Sequence, residues 1–443
     1  MLVRLLYALL ASLPLLALTA GGAGPVERGT LRFAQGEPSL APDPRSVVPG
    51  GQYEWQYSAT HMDRIPGWVL HAAASVPVAV IDTGADLSAP DLAVKQPAVF
   101  GVREAGDVGD ANGHGTFVAS IAAGSPDNND GIAGFAGDAP LIVVKAGSEQ
   151  GTFTAADEGQ AIVEAVDRGA RVVNLSLGGT RSSADERRAV AYAIAHGVLL
   201  VAAAGNEQLA GNPVEFPAAL LQPPDSNGAG GAGLSVGGST PEGSRAWFSN
   251  SGSWISLVAP SVSVFSAVAR GSRYDSVPLP GARRGTYGYA SGTSFAAPQV
   301  AGVAALVWAA NPTLSAPQVA DVIEQSASGQ GSWNADTGFG VLDGSAAVEA
   351  ATAALPHGLG VSWLTARFEG GELVARLLSR SAAALAGRRL LLERLAGEKW
   401  RREGSKTTDA HGRAAWRLDR GARYRVRFAG APELTAASSP TAR

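Results

Sequence analysis

The sequence predicts an α/β protein with a doubly wound parallel sheet and helices on both faces, followed by a small all-β sandwich domain at the C-terminus. From about residue 76 to residue 354, short β-branched runs alternate with alanine-rich stretches of helical length. That alternation is typical of parallel βαβ units. Beyond residue 357, alternating or apolar runs of strand length are separated by turns containing Gly and Asp. Such runs predict an antiparallel sandwich.

The charge of the chain changes at the same place. Residues 357–443 contain 17 Lys or Arg and 8 Asp or Glu. Residues 1–356, in contrast, contain 18 Lys or Arg and 31 Asp or Glu. This contrast indicates two domains. With 46% hydrophobic residues, the chain of 443 residues can bury a large core. The net charge of −4 is too weak to favour a nucleic-acid partner, and we expect a monomer.

The hydrophobic pattern also assigns individual elements, because β-branched runs favour strands and alanine-rich amphipathic stretches favour helices. The strands predicted for the parallel sheet are 76–81, 141–145, 172–177, 198–203 and 234–236. The predicted helices are 117–123, 155–168, 184–196 and 295–310. The predicted sandwich strands are 372–378, 389–395, 414–418 and 424–428.

The N-terminus has the pattern of an export signal. Arg4 precedes an apolar run at 5–18, and small residues follow at 19–24. The run is shorter than the roughly 20 residues that a membrane span needs, which favours a cleaved signal peptide over an anchor. We therefore expect a secreted or extracytoplasmic protein with no transmembrane anchor in the mature chain. The predicted domains are a signal peptide (1–23), a leader and N-terminal arm (24–65), the α/β domain (66–355) and the sandwich (357–443).

Three segments carry residues suited to catalysis. Asp82 directly follows an apolar strand, where a carboxylate at the edge of a core needs a compensating partner. His114 lies between two glycines at the start of a helix, and Ser294 lies where a loop meets the long apolar helix. Taken alone, each has an ordinary structural explanation: a turn aspartate, a core histidine and a helix-capping serine.

Together these residues suit nucleophilic catalysis. A buried Asp can orient a His, which can take the proton of Ser294 as that hydroxyl attacks a carbonyl carbon. Asn206 follows another predicted strand, and its amide can donate to the resulting oxyanion. This chemistry requires no cofactor. The absence of cysteine excludes disulfides and thiolate chemistry.

These motifs resemble the subtilase family. Asp82-Thr83-Gly84, Gly113-His114-Gly115-Thr116 and Gly292-Thr293-Ser294 are similar to its aspartate, histidine and serine motifs, in the same order along the chain. The resemblance covers about residues 76–354. It implies a subtilisin-like fold at 66–355 and a secreted serine endopeptidase that cleaves polypeptides through an acyl-enzyme. Asp82, His114 and Ser294 would be the triad and Asn206 the oxyanion donor.

The resemblance also implies a substrate site. The backbone of Ser176, Leu177 and Gly178 would pair with an extended peptide. Ala203, Ala204 and Gly205 would line the pocket for the side chain that precedes the cleaved bond. The segment 215–218 is similar to one that carries a cis proline in the family, which makes Pro217 a candidate for a cis peptide bond.

The sequence departs from the family pattern at several positions. Phe295 follows the nucleophile where secreted subtilisins often have Met, and Gln299 stands where many have His. Asp91 and Asn128 match positions that bind structural calcium in some relatives, but the supporting turn at 127–134 is altered. Metal ligands are therefore not assigned, and structural calcium stays an open alternative.

Two other functions compete with this interpretation. A sedolisin-like peptidase would have Glu in place of His114 and Asp in place of Asn206, so both residues argue against it. An exported binding protein with an inactive peptidase domain would use the C-terminal sandwich instead. The intact set of Asp82, His114, Asn206 and Ser294 argues against that alternative.

Overall fold

The structure, a computed structural model, describes residues 54–95, 98–103, 107–126, 132–272, 286–397, 399–419 and 421–442, together with the backbone of three short strands before them. The strands are β1 (Arg4–Leu5), β2 (Thr30–Arg32), β3 (Val47–Pro49), β4 (Val78–Asp82), β5 (Ala98–Gly101), β6 (Leu141–Lys145), β7 (Thr152–Phe153), β8 (Val172–Leu175), β9 (Leu199–Ala203), β10 (Gly233–Ser239), β11 (Leu257–Pro260), β12 (Val264–Val268), β13 (Thr286–Ala290), β14 (Ser362–Glu369), β15 (Glu372–Ser379), β16 (Arg389–Ala396), β17 (Lys399–Thr407), β18 (Arg413–Arg417), β19 (Tyr424–Phe428) and β20 (Ala437–Ser438).

The α-helices are α1 (Trp55–Ala59), α2 (Gly67–Ala72), α3 (Pro90–Lys95), α4 (His114–Ala123), α5 (Ala155–Asp167), α6 (Ala184–Ala195), α7 (Ala218–Leu221), α8 (Ala297–Ala310), α9 (Ala316–Ser326) and α10 (Gly344–Ala353). Short 3₁₀ turns occur at Met62–Arg64, Ala73–Ser75, Gln208–Ala210 and Thr293–Phe295. Two antiparallel pairings involve the first strands: β2 with β3, and β1 with β7.

Seven of the described strands form one parallel sheet in the order β11-β10-β9-β8-β4-β6-β5. Successive residues of β4 point to opposite faces, as the pleat requires. Val78 and Val80 join the core formed with α4 and α8, whereas Ala79 and Ile81 join the core formed with α5 and α6. Both faces are therefore covered by helices. The predicted doubly wound α/β class is confirmed.

The strand β4 lies at the centre of this sheet and ends in Asp82. The chain continues from β4 to β5 and β6 on one side of the sheet, and then crosses to β8 on the other. Functional groups of such sheets gather at the carboxyl ends of strands, beside the point where the strand order reverses. The fold thus directs the ends of β4, β8 and β9 towards one rim.

Helix α8 begins at the same rim and runs through the core. All of its residues are buried, and Pro298 lies in its first turn, where a missing N–H costs nothing. Its small Ala, Gly and Val side chains allow close packing all round, which suits a fully buried helix. Within the described part of the chain, only the stretch Thr293–Ala310 has the length and apolarity to cross a membrane, and 94% of it is buried here.

The C-terminal region forms two antiparallel sheets. One has the order β14-β15-β18 and the other β17-β16-β19-β20, and their inner faces share a separate apolar core. The predicted all-β region is therefore confirmed. The sequence pattern missed β14, β17 and β20. Strand β17 carries mostly charged, exposed residues, so its pairing with β16 rather than apolar alternation defines it.

The sandwich packs against the α/β domain through β14. Trp363 is 2% exposed and belongs to the larger core of the α/β domain. The imidazole of His71 in α2 stacks on this indole with ring centres 5.0 Å apart. The His71 Nδ1 in turn lies 2.7 Å from Asp138 Oδ2. The boundary near residue 356 stays a prediction.

A buried carboxyl in α9 generates a prediction for stability. Glu324 is 1% exposed, and its Oε1 accepts a hydrogen bond from Gln222 Nε2 at 3.3 Å. Burial raises the pKa of Glu324 to about 8, although a hydrogen bond from Ser256 opposes this, and the charge of Asp321 raises it further. In the unfolded chain the same group ionises near its ordinary pKa of 4.5.

We expect the stability contributed by Glu324 to be complete below about pH 4.5 and to fall as the pH rises towards 8, because only the unfolded chain releases the proton in that window. The Glu324→Gln variant should lack this decline. At pH 8 to 9 it should be more stable than the wild type by about 1–4 kcal/mol. Thermal unfolding from pH 4 to 9 measures this, with Glu349→Gln, an exposed position on α10, as control. Parallel curves for all three proteins would contradict it.

Candidate active site

Asp82 is the last residue of β4 and has no exposed surface. Its Oδ1 lies 2.7 Å from His114 Nδ1 and accepts the Thr83 N–H at 2.8 Å. Among the described residues, nothing donates a hydrogen bond to Oδ2. A carboxylate removed from water is costly unless donors or an opposite charge compensate. The imidazole is therefore the main compensating partner of Asp82.

His114 is the first residue of α4, and its side chain is 1% exposed. Two glycines allow this helix to begin directly against the end of β4. A Cβ at Gly115 would overlap the carbonyl oxygen of Gly84, and Gly84 itself has φ +117°, a conformation that favours glycine. This close approach of two backbones brings the imidazole to Asp82.

Asp110, which the sequence reasoning missed, holds this arrangement together. Its buried carboxylate accepts bonds from the Thr83 hydroxyl (2.8 Å), the Gly113 N–H (2.8 Å), the Thr116 N–H (2.7 Å) and the Thr116 hydroxyl (2.6 Å). It thereby satisfies N–H groups at the start of α4 and connects that helix to the residue after Asp82. The sequence signal that could have identified Asp110 is its position three residues before Gly113.

Ser294 lies in the 3₁₀ turn Thr293–Phe295, directly before α8, and is half-buried. Its Oγ donates a long bond of 3.5 Å to the Ser176 carbonyl, and no hydrogen bond joins it to His114 in this structure. The ring of the next residue, Phe295, is 5.5 Å from the imidazole, centre to centre. The turn that carries Ser294 therefore lies against His114, and the hydroxyl and the imidazole are not hydrogen-bonded. Catalytic hydrogen bonds are often open without substrate.

Asn206 follows β9 and faces the same turn. Its Oδ1 accepts the Thr293 N–H at 2.9 Å and the Thr293 hydroxyl at 3.1 Å. With the oxygen engaged in this way, Nδ2 remains as the donor. This Nδ2 atom lies 3.8 Å from the position that a Cβ on Gly292 would occupy. Its amide and the start of α8 can therefore both donate to a negative oxygen near Ser294.

The structure places the predicted substrate-binding segments on either side of the Ser294 turn. Ser176 is buried, and its Oγ donates to the Ser294 carbonyl at 2.7 Å. Leu177 is buried in the core on the α5–α6 face, whereas Gly178 is half-buried. On the other side, Ala203 ends β9 and Ala204 follows it, both buried, and the Gly205 N–H donates to the Thr293 hydroxyl at 3.3 Å. Their contact with substrate stays a prediction.

The sequence also singled out Pro217 and Gln299. The Phe216–Pro217 peptide bond is cis, which confirms that expectation. Gln299 is buried and donates from Nε2 to the carbonyls of Pro260 and Phe295, both at 2.7 Å. It therefore supports the first turn of α8.

Structural calcium stays a prediction. Asn128 lies outside the described residues. The carboxylate of Asp91 accepts the Ile132 N–H and the Tyr287 hydroxyl, each at 3.2 Å. Burial raises the pKa of nearby Glu54 well above its usual range; the Ala133 N–H opposes this, and the charge of Asp91 adds to it. Two carboxylates suit a hard cation, but Ca²⁺ takes six to eight oxygens. No cluster of three or more metal-ligating side chains occurs among the described residues.

The parallel sheet, with a carboxylate, an imidazole and a hydroxyl gathered at its rim, defines the class of subtilisin-like serine peptidases. The model of the subtilase family matches residues 73–340. The chain therefore belongs to the subtilase family.

Curated relatives and solved structures agree with this assignment. The chain is 36% identical to a thermophilic serine proteinase from Bacillus sp. (strain AK1), over 62% of each chain. It is 33% identical to subtilisin E from Bacillus subtilis, over 66% of this chain and 69% of that protein. Fervidolysin from Fervidobacterium pennivorans, a keratinolytic enzyme related to subtilisin, aligns with a TM-score of 0.57 at 25% identity, over 85% of this chain and 56% of its own. A protease from Pseudoalteromonas arctica aligns with a TM-score of 0.53 at 27% identity, over 68% of this chain and 98% of that protease.

The hydrogen bonds of Asp110 generate a prediction. We expect Asp110→Ala to lower the thermal midpoint and to reduce kcat for a peptide at least tenfold, with a much smaller change in KM, because His114 loses its fixed position without losing its chemistry. A loss of about 2–4 kcal/mol in stability is typical for several bonds to a buried charge. Asp110→Asn keeps one acceptor oxygen and should recover part of both effects.

The matched control is Asp107→Ala. Asp107 lies in the same loop, is mostly exposed and bonds only Lys145 among the described residues, at 2.9 Å. Steady-state kinetics and thermal unfolding of the three variants provide the test. An Asp110→Ala protein that folds and retains the kcat of the wild type would show that Asp110 does not position His114.

Proposed function

We propose that this chain is a secreted serine endopeptidase that hydrolyses peptide bonds in proteins through Asp82, His114 and Ser294. The observation that supports this most is the buried 2.7 Å contact between Asp82 Oδ1 and His114 Nδ1 at the strand rim. The ring of Phe295, the residue after Ser294, lies 5.5 Å from this imidazole, centre to centre. A carboxylate in this position holds the proton on Nδ1 and leaves Nε2 free to accept another.

In the first half of the reaction, Ser294 Oγ attacks the carbonyl carbon of the substrate, and His114 Nε2 takes the hydroxyl proton. The imidazolium that forms is stabilised by Asp82, which remains ionised. When the tetrahedral intermediate collapses, the carbon–nitrogen bond breaks and His114 returns the proton to the leaving amine. The products are an acyl-enzyme on Ser294 and a free amine.

In the second half, water takes the place of the amine. The oxygen of the water attacks the acyl carbon while His114 accepts a proton from the water. His114 then protonates Ser294 Oγ as the ester bond breaks. Asn206 Nδ2 and the Ser294 N–H donate to the oxyanion in both halves. The two intermediates thus use the same donors, and the chemistry needs only water and groups of this chain.

The substrate proposed for this site is a polypeptide in extended conformation. Its backbone would pair with Ser176, Leu177 and Gly178, as in β-strand addition. Ala203, Ala204 and Gly205 would contact the side chain before the cleaved bond. The proposed enzyme acts as a monomer.

Export is part of the proposal. It is supported by the apolar run at 5–18, bounded by Arg4 and small residues. An enzyme without cysteine needs no oxidative folding outside the cell, so its stability there depends on the apolar cores described above.

We expect Ser294→Ala to reduce kcat by roughly 10⁶-fold, since removing the nucleophile eliminates the acyl-enzyme route. The variant should keep its thermal midpoint. A fluorophosphonate probe should label the wild-type protein at Ser294, and mass spectrometry of the exported protein should find it shortened near residue 23. Ser291→Ala, at an exposed serine three residues earlier, is the control and should be labelled normally. Labelling of Ser294→Ala, or turnover close to that of the wild type, would contradict the mechanism.

A further inference from the structure

The outer face of one sandwich sheet carries a group of arginines. Strand β16 pairs with β17 and β19, and residues directly opposite each other in such pairs project to the same side of the sheet. Leu390 and Leu392 project into the sandwich core, so the residues at 389, 391 and 393 project outwards, as do their partners in β17 and β19. Four of these outward residues are named here as the arginine face: Arg389, Arg402, Arg425 and Arg427.

Two members of the arginine face meet without an acidic partner. The Oγ of Ser405 accepts bonds from Arg389 Nε at 3.3 Å, from Arg389 Nη2 at 3.1 Å and from Arg402 Nη2 at 3.5 Å. Both arginines are exposed, and among the described residues neither forms an ion pair with a carboxylate. Two like charges therefore converge on one neutral oxygen. An anion at this point would bond both guanidinium groups and relieve their repulsion.

The other two members share one carboxylate. Glu393 Oε2 accepts Arg425 Nε at 2.6 Å, and Glu393 Oε1 lies 3.7 Å from Arg427 Nη1. The side chain of Arg427 remains 50% exposed. The outward residues of the three paired strands thus include four guanidinium groups and one carboxylate. Most of the positive charge on this face is therefore not compensated within the sheet.

The outer face of the other sandwich sheet provides a contrast. It also carries four arginines, but each of them contacts one of two glutamates, at 2.6 to 3.8 Å. The pairs are Arg367 and Arg376 with Glu369, and Arg413 and Arg417 with Glu372. The uncompensated charge is therefore a property of the arginine face and does not follow from the composition of the domain alone.

The spacing on the arginine face fits a run of acidic groups. Ser405 and Arg427 lie opposite Leu391 on its two sides, so they are two strand spacings apart, or about 10 Å. Side chains on one side of an extended peptide recur about every 7 Å, and the flexible arginines can span the difference. A single carboxylate cannot reach both points. Neighbouring carboxylates in an acidic segment can.

The apolar residues around the arginine face indicate which kind of anion it suits. Proteins that bind single-stranded nucleic acid combine positive charge with open aromatic platforms. Here Trp400 is half-buried, and the Arg425 guanidinium lies 4.5 Å over its ring. Leu391 and Leu395 are also half-buried, so they offer little apolar surface to enter a lipid layer. The face therefore suits an acidic polypeptide better than a nucleic acid or a membrane.

We propose that the arginine face binds acidic stretches of protein substrates and holds them on the enzyme. Guanidinium groups bond carboxylates through paired N–H groups, and complementary charge accelerates association. Residues 1–356 contain 31 Asp or Glu and only 18 Lys or Arg, so an acidic protein is attracted by the sandwich rather than by the rest of the chain. The recruitment of substrates rests on the proposed function, whereas the binding of acidic peptides does not.

The binding test uses a fluorescent peptide of twelve glutamates and the full-length Ser294→Ala protein, which cannot cleave it. We expect binding that weakens as salt is added. Changing both Arg389→Gln and Arg402→Gln should raise the Kd about 3- to 30-fold, the range for two exposed charge pairs. The matched control combines Arg413→Gln with Arg417→Gln. It removes the same charge from the other face of the same domain and should change the Kd less than twofold. Thermal unfolding verifies that both double variants fold.

Three results would overturn this inference. The first is an absence of binding to the wild-type face, and the second is an equal loss of affinity in the two double variants. The third is tighter binding of a twelve-residue oligothymidylate, or of phosphatidylglycerol vesicles, than of the glutamate peptide. That third result would assign the arginine face to nucleic acid or to a membrane surface instead.

A second measurement connects the arginine face to turnover. Two substrates share one cleavable sequence and carry, through a flexible Gly/Ser linker, a tail of either twelve Glu or twelve Gln. We expect kcat/KM of the wild type for the Glu-tailed substrate to exceed that for the Gln-tailed one at least threefold, through a lower KM. The ratio should fall to about one when Arg389 and Arg402 are both changed to Gln. Equal values for the two tails in the wild type would refute the recruitment of substrates.

Fluorophosphonate labelling separates the two levels of failure. An enzyme that is labelled at Ser294 and cleaves both tailed substrates equally would refute recruitment by the arginine face and leave the proposed function standing. A protein that binds the glutamate peptide through Arg389 and Arg402, but is neither labelled nor active on any peptide, would refute the proposed function and leave the binding surface standing.

Discussion

The buried carboxylate of Asp82 is the constraint on which the site depends. It ends the central strand of the sheet without any exposed surface, so its charge must be compensated from within the protein. The Thr83 N–H and the His114 imidazole provide that compensation. Helix α4 can bring the imidazole there only because Gly84 and Gly115 let two backbones touch and because Asp110 binds the start of the helix to Thr83.

The other half of the site is held by contacts between loops that follow β8 and β9. Ser176 bonds the Ser294 carbonyl, and Asn206 bonds the Thr293 N–H and hydroxyl. The turn that carries Ser294 is therefore fixed from two neighbouring strands before α8 begins. These bonds join the proposed nucleophile, the proposed oxyanion donor and the predicted substrate-binding segments into one unit. A shift of one strand end would disturb all three.

The sequence was sufficient to predict the elements whose residues carry a local signal. The runs at 141–145 and 424–428 have the observed bounds of β6 and β19, and polar residues after apolar runs led to Asp82 and Asn206. Other features depend on tertiary contacts. Asp110 acts through four bonds that only the folded chain forms, and β17 is charged and exposed, so pairing alone defines it.

The most direct test of the central claim is the kcat of Asp82→Asn, because this change preserves the size of the side chain and removes its charge. If Asp82 orients His114 and stabilises the imidazolium, kcat should fall by roughly 10⁴-fold. The loss should occur with little change in KM, since the carboxylate does not touch the substrate. A folded Asp82→Asn enzyme with a kcat within tenfold of the wild type would contradict the account.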